Sequence, residues 1–154
     1  MADFRKVLQN TINSFIENNT LAVKKKDTSL FSAILTEDCI RIYRPLSFIQ
    51  RYPQVFKTEI TNADYEAQMK MELQTMQDVS QKVTRTVIDT VERKATLWTE
   101  QTVFTVNGSK NVVEVIWDLN FSEDGTRVSQ IMEFVDTYES TKVLEQMLAQ
   151  AGAK

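Results

Sequence analysis

Between Val83 and Thr137 the chain is a succession of long β-rich runs, VTRTVIDTVER, KATLWTEQTVFTV, NVVEVIWDLNF and RVSQIMEFVDT. This block constrains what the rest of the sequence must do. Each run mixes β-branched and aromatic residues with interleaved polar ones, the pattern of strands. Asn107-Gly108 and Asp124-Gly125 fall between consecutive runs, where hairpin turns need residues that accept positive φ. The last three runs are therefore expected to form an antiparallel meander. Strands this much longer than the usual five or six residues twist and coil. A coiled sheet has a concave face that must be covered.

The N-terminal half supplies the cover. Phe4, Val7, Leu8, Ile12, Phe15 and Ile16 recur at helical spacing, so an amphipathic helix is predicted from residue 3 to about residue 25. Asp27 is an N-cap candidate for a short second helix carrying Leu30, Phe31, Ile34 and Leu35. CIRIY, residues 39–43, reads as a strand ended by Pro45. An irregular stretch is expected to about Ile60. Thr61 and Asp64 then have capping-box spacing, and Tyr65, Met69, Leu73 and Met76 follow on one helical stripe. Val143, Leu144, Met147 and Leu148 mark a closing helix. Helices first and strands later is the α+β arrangement. With 154 residues, the chain is expected to be one domain spanning 1–154.

Composition excludes several function classes. The net charge is −3, and the one basic block, Lys24, Lys25 and Lys26, closes the first helix where cations meet its dipole. No basic face for nucleic acid is expected. The chain has no histidine and one cysteine, which argues against a zinc or redox-metal site and removes the commonest general base. Cys39 reads as a small buried hydrophobe, with no disulfide partner. MADFRKVLQNTINSF lacks a signal peptide's apolar core, and no run approaches the roughly 20 apolar residues of a membrane helix, so a cytoplasmic, membrane-free protein is expected. Glycine-rich phosphate loops, dinucleotide fingerprints and nucleophile elbows are missing, so no cofactor is expected.

The element order resembles the nuclear transport factor 2-like superfamily, and more narrowly its SnoaL-like branch from fungal natural-product pathways. The residues carrying the resemblance are TEDCIRIYRPLSF (36–48), Asn62-Ala63-Asp64-Tyr65, Trp117 to Phe121 leading into Ser122-Glu123-Asp124-Gly125, and Met132 to Asp136. It covers essentially the whole chain. It implies a cone-shaped α+β barrel, N-terminal helices packed on a highly curved antiparallel sheet, with the early strand along the sheet edge near a pocket. Family activities include cyclases, isomerases, dehydratases, epoxide hydrolases and non-catalytic modules. The dehydratases' histidine does not exist here, and a second pocket Asp of the epoxide-hydrolase set does not align. Isomerases using Arg and carboxylate groups remain compatible.

Strand alternation decides which candidates share a face. Cys39, Arg41 and Tyr43 share one side of the early strand; Ser129, Ile131, Glu133 and Val135 share one side of the last. The resemblance places Arg41 and Glu133 at pocket positions. One reading has Glu133 moving a proton while Arg41 stabilises negative charge on a substrate oxygen. The other is a structural Arg–Glu pair. Tyr43, Tyr65, Met69, Phe104 and Trp117 are candidate substrate-binding wall residues, although such a residue taken alone is more often core. Arg44 reads as a loop arginine at the pocket mouth, Asp136 as a helix cap, Asp38 as a loop residue and Trp98 as facing a partner.

These expectations lead to a cofactor-free isomerase or cyclase acting on a small apolar, oxygenated natural-product intermediate. The alternative is a non-catalytic binding or dimerisation module; a ketone isomerase or dehydratase is the weaker third. A homodimer through the outer sheet face, with Val112 and Ile116 on it, is expected in any case.

Overall fold

The computed structural model describes residues 2–152. In chain order these form α1 (Ala2–Lys25), a 3-10 helix (Thr28–Ser32), β1 (Leu35–Arg44), α2 (Leu46–Arg51), β2 (Glu59–Thr61), α3 (Asn62–Glu72), β3 (Met76–Asp89), β4 (Lys94–Thr105), β5 (Lys110–Phe121), β6 (Val128–Val135) and α4 (Thr137–Gly152). The strands build one open, curved six-stranded sheet in the order β2-β1-β6-β5-β4-β3. The fold is α+β. β3 to β6 are the antiparallel meander, but β1 runs parallel to β6, so the sheet is mixed rather than wholly antiparallel. β1 returns to β6 from far earlier in the chain, and no tight turn constrains their relative direction.

Local chemistry accounts for most element ends. Asp27 caps the 3-10 turn by accepting the Ser29 amide, but Leu35 has already entered β1, so the second helix is shorter than its apolar residues suggested. Thr61 and Asp64 form the complete capping box of α3. Asp136 accepts the amides of Tyr138 and Glu139 and so caps α4. α2 and β2 occupy the stretch read as irregular, and β3 begins seven residues before Val83. β2 is only three residues long, yet it lies outside β1, which therefore is not the sheet edge. Lys26 is not simply solvated: its Nζ donates to the carbonyls of Leu73 (2.9 Å) and Met76, tying the end of α1 to the α3–β3 connection.

Gly125 fixes the β5–β6 turn against α1. Its φ is +74°, and a Cβ there would meet Leu8 Cδ2 and Phe4 Cε2 at 2.9 Å, so both conformation and space favour glycine. Its carbonyl accepts a buried bond from Thr11 Oγ1 at 2.7 Å. α1 is thereby held over one end of the inner face, where Leu8, Ile12 and Phe15 join Leu97, Leu119 and Ile131 in the solid core.

The packed half ends at one cross-strand row. Tyr43 pairs with Glu133, Glu133 with Trp117, and Trp117 with Leu97. Phe15 meets Trp117 edge-on at 5.3 Å, closing the packed half. Beyond that row the inner face carries Gln101, Val103, Val113, Val115 and Val135, and it is arched over by α2, α3 and α4 around a cavity. One helix thus fills half of the concave face, and the other half is hollow.

Candidate active site

The cavity holds about 140 Å³. Its floor is valine-rich sheet, its roof includes Met69 of α3 and Val143, Leu144 and Met147 of α4, and its polar groups are Tyr43, Tyr65, Gln68, Glu72, Gln101, Glu133 and Ser140. A smaller compartment of about 40 Å³ adjoins it, sharing Tyr65, Met69, Met76, Gln101 and Glu133 and reaching Asn19, Gln81 and Trp117. Apolar walls with a few convergent polar groups are the usual build of a small-molecule site.

Arg41 and Glu133 meet as an ion pair, Nη1 to Oε2 at 3.0 Å, with the side chains 3% and 16% exposed. They lie on adjacent strands, Arg41 opposite Ile131 and Glu133 opposite Tyr43, so each side chain leans toward the other along the inner face. The Arg41 guanidinium also lies 3.5 Å from the Tyr65 ring centroid and 5.8 Å from that of Trp117. Aromatic faces partly replace its lost hydration. Its Nη2 is buried without a partner.

Arg41 itself lines neither cavity: Glu133 and the Tyr65 ring carry the wall in front of it. The expected direct contact between Arg41 and a substrate oxygen is therefore corrected, because the carboxylate and the ring stand between the guanidinium and the cavity. Burial pushes the Glu133 carboxyl above its ordinary range, and the charge and hydrogen bond of Arg41 pull it back.

Glu72, at the last turn of α3, was not singled out from the sequence. It follows Lys70 and Met71 and was given no role by the stripe of Tyr65, Met69 and Leu73; only the geometry brings the carboxylate to the cavity. Gln68 Nε2 donates to Glu72 Oε1 at 2.8 Å, and Tyr43 Oη contacts Gln68 Oε1 at 3.5 Å. Burial pushes the Glu72 carboxyl up to about 7; the Gln68 bond opposes this and the Glu133 charge adds to it. An i, i+4 Gln–Glu spacing on the stripe of Tyr65 and Met69 is the one signal that could have revealed it. Gln68 and Ser140 were missed for the same reason.

The remaining candidates separate by strand phase. Tyr43, Tyr65 and Met69 line the cavity. Trp117 lines only the inner compartment, with its Nε1 donating to Thr99 Oγ1 at 3.1 Å. Phe104 is a correction: Leu97, Thr99, Gln101 and Val103 take the inner face of β4, so Phe104 points outward, 5.9 Å from Lys110 Nζ. Arg44 ends β1 and donates to the Tyr43 carbonyl rather than reaching the cavity. Asp38 is exposed within β1 rather than on a loop. Cys39 is buried, and burial pushes its thiol up to about 11.

No protein-family model matches the sequence, and no curated protein matches it. Solved structures do match. BvnE pinacolase from Penicillium brevicompactum superposes with a TM-score of 0.78 at 17% identity, over 97% of this chain and 96% of that one. PrhC from Penicillium brasilianum NBRC 6234 gives 0.78 at 17% identity, over 98% and 94%. An NTF2-like protein of unknown function from Burkholderia pseudomallei K96243 gives 0.68 at 14% identity, over 89% and 96%. The chain has the SnoaL-like, nuclear transport factor 2-like fold. At these identities the likeness is one of fold. Within that fold the hollow end of the cone is where this chain places Glu133, Glu72 and Tyr43.

The Glu72 carboxyl predicts a specific pH dependence. Unfolded, it titrates near its ordinary 4.5; folded, it keeps its proton to about 7. The folded state binds more protons across that window, so stability falls as pH rises from about 4.5 to about 7. Between pH 5 and pH 8 the loss amounts to about 2–3 kcal/mol. Urea unfolding of Glu72→Gln at pH 5 and pH 8 is expected to show that much less loss than wild type, leaving the variant the more stable of the two at pH 8. Equal losses in both proteins would remove Glu72 from the buried set.

Proposed function

We propose that this protein is a cofactor-independent isomerase or cyclase that moves a proton within a small, apolar, oxygenated molecule. The observation that carries the reading is a valine-floored cavity whose wall holds two carboxyls with different partners. Glu133 is paired with Arg41 at 3.0 Å, whereas Glu72 makes no ion pair among the described residues and burial pushes its carboxyl up to about 7. Environments that push two titratable groups apart supply a base and an acid at one pH. Glu133 takes a proton from a carbon or hydroxyl of the ligand, and Glu72 gives one to another atom, so substrate and product are isomers. Exchange with water at the cavity mouth resets both carboxyls. Arg41 is a positioning residue that acts through Glu133, and Tyr43 and Gln68 orient Glu72. The Penicillium sources of two structural neighbours support placing the substrate in fungal secondary metabolism, and the pinacolase among them supports rearrangement chemistry.

The second reading, a non-catalytic binding module, is favoured by one observation: Arg41 is shielded from the cavity, as a purely structural pair would be. Deuterium incorporation from D₂O beside the carbonyl of 2-hydroxycyclohexanone, followed by NMR, separates the two readings. Wild type is expected to accelerate exchange, and Glu133→Gln to lose the acceleration by on the order of 10²–10⁴ while staying folded. Exchange equal in wild type and Glu133→Gln would leave only the binding module.

We also propose a homodimer through the outer sheet face. Arg44, Phe134, Ile116, Trp98 and Arg85 form one cross-strand row there, with Phe134 43% and Val112 45% exposed. The same face presents Glu100 opposite Glu114, so a second copy related by a two-fold axis can bring arginines to carboxylates around an apolar centre. Sedimentation at micromolar concentration is expected to give a dimer for wild type and a monomer for Phe134→Glu. A monomeric wild type would end the proposal.

A further inference from the structure

The reaction cavity is small for the chemistry assigned to it. About 140 Å³ falls below the roughly 300–1,000 Å³ of ordinary ligand sites, and a natural-product skeleton does not fit inside it. A second hollow lies next to it. A groove of about 660 Å³ runs between the C-terminal end of α3, the β4–β5 turn and α4. Gln68, Glu72, Leu144 and Met147 line both spaces, so the two adjoin at a shared boundary, the throat, made of these four side chains.

The groove is apolar where a folded chain would normally be polar. Met71, Val106 and Leu148 line it from three separate elements and are 73%, 58% and 39% exposed. Single exposed apolar residues need no explanation, but several converging on one groove mark a binding surface. Its lining is distinct from the outer-face row of Trp98, Ile116 and Phe134, so the proposed dimer contact does not account for it. What can occupy it is set by the throat. A molecule that fills both spaces at once crosses that boundary.

We infer that the groove is the second half of the ligand site and that the ligand is a two-part molecule, with a compact oxygenated head in the cavity and an extended apolar body lying along Met71, Val106 and Leu148. The inference rests on the cavity being the reaction chamber. The throat is the polar collar between the halves: Gln68 and Glu72, joined at 2.8 Å, face whatever oxygen stands at the junction of head and body. The body adds binding without touching the proton-transfer groups. This lets remote contacts hold the head in register with Glu133.

Calorimetric titration with hexane-1,2-diol, octane-1,2-diol and decane-1,2-diol tests this directly. The diol head matches the cavity, and each added methylene extends the chain into the groove. Affinity is expected to rise about three- to fourfold per methylene in wild type. In the double variant Val106→Glu/Leu148→Glu, hexane-1,2-diol is expected to bind within about twofold of wild type, and the gain with length is expected to vanish. Both side chains are exposed, so the fold is not at risk, and circular dichroism checks it. Three results would overturn the inference: equal affinity along the wild-type series, a gain that survives in the double variant, or no binding of any diol. A rising series in a protein without exchange activity on 2-hydroxycyclohexanone would remove the catalytic reading and keep the groove. Exchange activity with a flat series would do the reverse.

Discussion

A guanidinium and a carboxylate taken out of water together set the terms for this structure. Either one alone on the inner face would cost several kcal/mol, by the general penalty for an unpaired buried charge. At 3.0 Å, and with Tyr65 stacked on the cation, Arg41 and Glu133 are tolerated where neither would be singly. The pair also fixes strand geometry. Because β1 and β6 run parallel, Arg41 opposes Ile131 and Glu133 opposes Tyr43, and the ion pair is a diagonal contact that holds this register. A slip of β1 by one residue would turn Arg41 to the outer face and leave Glu133 buried without its partner. The pair stands at the boundary between the packed and the hollow halves of the cone, so whatever holds it also holds the cavity wall.

The hollow is a consequence of where the covering helices land. α1 is pinned at the β5–β6 turn through Gly125 and at the α3–β3 connection through Lys26, which commits it to the end of the sheet around Leu97 and Leu119. The other end is spanned by α3 and α4, which touch the sheet through Met69, Val143 and Leu144 without filling the space above Val103, Val113 and Val115. The result is a chamber in which Glu133 bonds to Arg41, whereas Glu72 has Gln68 as its direct partner. The asymmetry between two chemically equal side chains comes entirely from their neighbours.

Much of this was legible in the sequence because it is local. Asn107-Gly108, Asp124-Gly125 and the Thr61–Asp64 box each act over a few residues and mark real turns and a helix start, and each long β-rich run falls on a real strand. Alternation put Arg41 and Tyr43 on one side of their strand, and the resemblance supplied the inward side for Arg41 and Glu133. The same rule, applied along β4 from Leu97, would have sent Phe104 outward; its aromatic character outweighed its phase. Other features were illegible for physical reasons. A parallel β1–β6 pair, a three-residue β2 and the shielding of Arg41 by Tyr65 are long-range facts with no short-range signature. Glu72 sits in a polar helix end, and only the approach of α4, about seventy residues later, makes that end an interior.

The claim underlying both the fold and the proposed chemistry is that Arg41 keeps Glu133 ionised inside the cone. Carbon-13 NMR titration of the Glu133 carboxyl, in wild type and in Arg41→Met, reads this directly. The account predicts a carboxylate that is ionised at pH 7 in wild type and a carboxyl that holds its proton at pH 7 once the guanidinium is gone, since burial alone raises its pKa. An unchanged titration in Arg41→Met would contradict it, because Glu133 would then be solvated and the buried pair would not exist.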